Sequence, residues 1–76
     1  MAMEGIREHQ TVVGSDGEHV GTVDGVDGGR IKFTRKDPDL HGLHHYLRGE
    51  FIDAVEGDTV RLNIPASEAR ANLQTT

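Results

Sequence analysis

His41, His44 and His45 fall within five residues and sit beside Asp37 and Asp39, the densest grouping of metal-ligating side chains in the chain. Imidazole with carboxylate can hold zinc, copper or nickel in near-tetrahedral or square-planar geometry. On an extended strand, however, His44 and His45 point to opposite faces, so the run makes a ligand set only if loop geometry folds it back on itself. The competing reading is plainer. His45, in parity with Leu43 and Leu47, would be half-buried and hydrogen-bonded while the other two are solvated. A metal- or small-ligand-binding role for His41, His44 and His45 is therefore the second functional reading, and no cofactor is expected.

The other chemistry-bearing set is cationic. Arg30 and Lys32 point the same way on one expected strand, and Arg61 points outward on another; Arg35, Lys36 and Arg48 are further candidates. If those strands are neighbours, the cations form a basic stripe able to hold an acidic protein segment or phosphates. Otherwise they are a solvated face paired with Asp24, Asp27 or Glu50. Nucleophile signatures fail: Ser15 and Ser67 have no His at a motif-defined spacing. The glycines at Gly14, Gly17 and Gly21 lack the strand-to-helix setting of a phosphate loop, and Gly28-Gly29 precedes a strand. No enzymatic activity is expected.

Thirteen acids against eight bases give a net charge of −5, which opposes nonspecific attraction to nucleic acid and to anionic membranes. Tyr46, Phe33 and Phe51 are better used in a core than as base-stacking platforms. Seventy-six residues suffice for one domain spanning 1–76, with 1–8 and 74–76 expected to fray. At this size folding removes only about 60% of the surface of the unfolded chain. There is no Cys, which excludes a disulfide framework and thiol chemistry and suits the cytoplasm. Nothing approaches the roughly 18 apolar residues of a membrane span, and residues 1–5 lack the regions of a secretory signal.

The elements that must position these groups are strands. Ten Gly punctuate short apolar segments, the pattern of many strands and tight turns. Thr11 to Val13 reads as a first strand, Ser15-Asp16-Gly17-Glu18 as a turn, and His19 to Val26 as a second strand with a bulge near Gly21 or Gly25. After the Asp27-Gly28-Gly29 turn, Ile31 and Phe33 alternate with Arg30, Lys32 and Thr34. Arg35 to Gly42 reads as a loop, and strand character resumes over His44 to Leu47. Phe51, Ile52 and Val55 supply apolar contacts, and Glu56-Gly57-Asp58 is a further turn. Thr59 to Ile64 alternates again. Pro65 then opens a short helix whose apolar stripe is Ala66, Ala69 and Leu73.

In order, Val13-to-Asp24, Gly29-Arg30-Ile31-Lys32, His44-His45-Tyr46, Val55-Glu56-Gly57-Asp58 and Ser67-Glu68-Ala69-Arg70-Ala71 resemble the PRC-barrel superfamily. They are closer still to a bacterial single-domain family within it, domain of unknown function 2171. Arg48 stands where that pattern leads one to expect Pro, and Phe51 where Trp is common. The resemblance implies a mainly β fold, a closed or partly open barrel of about six strands with a short C-terminal helix, and no catalysis. Relatives in that superfamily include the barrel of the photosynthetic reaction centre H subunit and the C-terminal domain of a ribosome maturation factor, both of which work by docking to other macromolecules. The expected function is accordingly a noncatalytic protein-interaction or adaptor module. Its partner would be another protein or a second copy of itself, contacted through Arg30, Lys32 and Arg61 or through the Arg35-to-Leu43 loop.

Overall fold

A computed structural model describes residues 5–34 and 44–74. It is mainly β: β1 (Thr11–Val13), β2 (His19–Asp27), β3 (Arg30–Phe33), β4 (His45–Arg48), β5 (Ile52–Glu56) and β6 (Thr59–Leu62), then helix α1 (Ala66–Ala71). A 3-10 turn, Gly49–Phe51, lies between β4 and β5. The strands form one six-stranded sheet in the order β4-β3-β2-β1-β6-β5. Every neighbouring pair is antiparallel except β1 with β6, which run parallel with Val12 opposite Val60. The ladders leave β4 and β5 as the two ends of the order, so the sheet is not a closed ring.

Alternation decides what each strand buries. Ile31 and Phe33 of β3, Val60 and Leu62 of β6, Val12, Val20, Val23, Leu47 and Ile52 make one core with Ala66 and Ala69 of the helix. Ile6, Phe51, Val55, Ile64 and Leu73 pack around it. The turn between β2 and β3 has two central residues, Gly28 and Gly29, with φ of 58° and 83°. Two successive positive φ values define the tight hairpin that matches strand twist. The irregularity expected in β2 is real and occurs twice: the register skips Val20 against β1 and Asp24 against β3. A third skip, at Asp53 against β6, breaks the alternation of β5, which explains why that strand reads only as scattered apolar residues. The last strand stops at Leu62 rather than Ile64, because the chain turns through Asn63 toward the helix.

The Ser15-to-Glu18 turn is also a socket for the helix. Ser15 N–H donates to the Ile64 carbonyl at 2.8 Å, and Asp16 Oδ1 accepts from Ala66 N–H at 3.3 Å and from Glu18 N–H at 3.2 Å. Pro65, the residue before the helix, offers no side-chain cap, so Asp16 supplies one from 50 residues away. At the other end of the helix, Arg70 donates to the His19 carbonyl. Gly5 to Gln10 and Gln74, at the margins of the described residues, are held as well. Gln10 is buried; its Oε1 accepts from Arg7 N–H at 2.8 Å, while Nε2 donates to the carbonyls of Gly5 and Gly57 at 3.1 and 2.9 Å. Gln74 exchanges backbone hydrogen bonds with Tyr46 at 2.6 and 2.8 Å, on the outer edge of β4.

Candidate functional site

The backbone pairing of β3 with β4 sets the geometry of the outer sheet face. Register opposes Arg30 to Arg48, Ile31 to Leu47, Lys32 to Tyr46 and Phe33 to His45. Tyr46 turns its N–H and carbonyl outward to Gln74, and Gly49 N–H reaches the Gly29 carbonyl, so Lys32–Tyr46 and Arg30–Arg48 are the non-hydrogen-bonded pairs of this ladder. Such pairs bring side chains closest, with Cα atoms about 4.5 Å apart. Two guanidinium groups therefore emerge directly opposite each other, an arrangement that destabilises a sheet when nothing neutralises it.

Around this pair the aromatic and acidic groups are ordered. The Arg30 guanidinium carbon lies 4.4 Å from the Tyr46 ring centroid, and that of Arg48 lies 5.9 Å from the Phe51 ring. Stacking engages the flat face of a guanidinium and leaves its edge donors to an oxyanion. The acids sit at the rim: Asp27 at 3.5 Å from Arg30, Glu50 at 3.8 Å from Arg48, and Asp24 at 4.0 Å from Lys32. All three carboxylates are solvent-exposed, so each pair contributes only about 0–1 kcal/mol. The Asp24 carboxylate reaches the rim because its residue is the extra one in the β2 bulge.

Arg61 stands apart from this group. Because β1 pairs with both β2 and β6, two strands separate β3 from β6, and Arg61 instead lies 3.5 Å from Glu56 on β5. Arg48, only a further candidate by sequence, takes the place beside Arg30. Arg35 and Lys36 lie outside the described residues, as does the whole of the loop expected from Arg35 to Leu43.

The histidines divide. His41, Asp37 and Asp39 lie outside the described residues. His44 precedes β4 rather than starting it, and its Nδ1–H donates to the Phe33 carbonyl at 3.1 Å, with Asp24 Oδ2 at 3.9 Å from the same nitrogen. A carbonyl only accepts, so this contact fixes the proton on Nδ1 in the neutral ring. His45 is half-buried on the same side of β4 as Leu47, where parity puts it. Among the described residues, no three His, Asp or Glu side chains converge on a common point. Nor is any helix among them long and apolar enough to cross a membrane.

No curated protein and no solved structure matches this chain. A family model does, over residues 6–70, from the second described residue to the last turn of α1. The chain belongs to the family described as uncharacterized protein conserved in bacteria (DUF2171).

Proposed function

We propose that this chain is a noncatalytic interaction module that docks another protein through the outer face of β3 and β4. One observation carries the reading: Arg30 and Arg48 are opposed on a close cross-strand pair, with Lys32 and Tyr46 beside them. The carboxylates beside Arg30, Lys32 and Arg48 stand 3.5, 4.0 and 3.8 Å away with solvent-exposed side chains, so a partner oxyanion can compete with them. In a chain of net charge −5, a concentration of cations on one strand pair favours selective docking over general attraction to polyanions.

The module is best read as a partly open barrel of the PRC type. In support, the chain passes from β4 to β5, the two ends of the strand order, through the single turn Gly49–Phe51. Asn63 braces that turn, donating from Nδ2 to the Glu50 carbonyl at 3.0 Å and from N–H to the Phe51 carbonyl at 2.8 Å.

The test is affinity capture from a lysate of the source organism with three tagged forms: wild type, Arg30→Glu with Lys32→Glu, and Arg61→Glu. A partner should be retained saturably by the wild type and by Arg61→Glu. It should be lost from the double variant, which keeps a cooperative thermal unfolding transition. Equal retention by all three forms removes this face from the proposal.

A further inference from the structure

Resting on that reading, we infer that the partner is engaged through an extended acidic segment carrying Asp or Glu at alternate positions. The inference comes from spacing and from what covers the ring of Tyr46. Arg30 and Lys32 are two residues apart on β3, so their side chains leave the same face about 6.6 Å apart. An extended peptide presents its own side chains at the same period, on one face, at every second residue. Laid along β3, such a segment places one carboxylate between Arg30 and Arg48 and the next beside Lys32.

The first seat is the stronger. Register opposes Arg30 to Arg48 on a close cross-strand pair, so a carboxylate laid over that pair is within reach of both long side chains and offsets their like charges. Arg48, at 55% side-chain exposure, is the more accessible of the two. The second seat is weaker, because Lys32 is a point charge already facing Asp24.

The same geometry disfavours a nucleic acid strand. Single-strand binding needs exposed aromatic faces on which bases stack, and the face of Tyr46 is covered by Arg30. A phosphate backbone would also pass the rim carboxylates of Asp24, Asp27 and Glu50, all on the outer margin of the patch.

Two synthetic peptides of identical composition decide the matter, one alternating Glu with Ser and the other carrying the same residues in two blocks. Each is titrated into the full 15N-labelled chain and followed by amide chemical shifts. A single-stranded oligodeoxynucleotide of similar charge is titrated in parallel. The alternating peptide should shift Arg30, Lys32, Tyr46 and Arg48 saturably and bind about tenfold more tightly than the block peptide. Arg48→Gln should weaken it about tenfold, and Arg61→Gln should leave it unchanged. Equal affinity for the two peptides, shifts elsewhere in the chain, or tighter binding of the oligonucleotide would each overturn the inference. Failure here with continued loss of the captured partner from the Arg30→Glu, Lys32→Glu variant leaves the docking face standing and rejects only the acidic segment. Failure of both rejects both.

Discussion

Gln10 is the buried polar side chain of the described core, at 1% exposure, and it satisfies three backbone groups that no strand ladder reaches. It ties the segment before β1 to the turn between β5 and β6. Truncation would remove three hydrogen bonds that tie these segments together and leave a cavity where the buried amide packs, although the partner residues Gly5, Arg7 and Gly57 are themselves exposed. Gln10→Ala should therefore lower the free energy of unfolding by about 2–3 kcal/mol in a denaturant titration, a large part of the roughly 4–11 kcal/mol expected for a chain of this length. A loss below about 0.5 kcal/mol would mean that water replaces the amide. Nothing in the sequence marks Gln10, because a buried amide has no periodicity and its partners are up to 47 residues distant. Arg30 and Lys32 were legible for the opposite reason: alternation with Ile31 and Phe33 is a local signal, and it places them on the outer face without knowledge of any other strand.

Elements meet at Gly14. A Cβ there would lie 2.3 Å from the Ala66 amide nitrogen and 2.8 Å from the Pro65 carbonyl carbon, both backbone atoms that yield only if the helix moves. Gly25, on a bulged stretch of β2, has open space where its Cβ would be. Gly14→Ala should thus destabilise by more than about 2 kcal/mol and expose the amides of α1 to faster hydrogen exchange. Gly25→Ala should be neutral or stabilising by up to about 1 kcal/mol, through the entropy of the unfolded chain. Equal effects from the two substitutions would show that the helix does not press on the turn. The turn residues Ser15, Asp16 and Gly17 could be read as a turn from their types, and that reading holds. Their second use, receiving the helix, could not be read, since it depends on a contact across 50 residues. The same limit explains Arg61: its outward parity on β6 follows from Val60 and Leu62, but its distance from Arg30 follows from strand order, which alternation does not encode.

For the whole molecule, the feature with the widest reach is the parallel pairing of β1 with β6, the three residues Thr11, Val12 and Val13 against Thr59, Val60 and Arg61. Contacts this distant in sequence require a large loop to close before any stabilisation is gained. Refolding followed by stopped-flow fluorescence of Tyr46, or by circular dichroism, should give one exponential phase in the range of about milliseconds to seconds. A phase faster than about 100 microseconds would mean that local hairpins suffice. The hairpin of β2 with β3 can form early, since Gly28 and Gly29 make it locally. The centre of the sheet cannot. During synthesis on a ribosome, β1 would emerge with one edge answered by β2 and the other waiting for a strand still to be translated. The fold would then be completed only after β6 had cleared the exit tunnel, and α1 could settle into the Gly14 socket only later still. A chain stalled before residue 59 would present the backbone of β1 as an open edge, and quality-control proteases and self-association would compete for it.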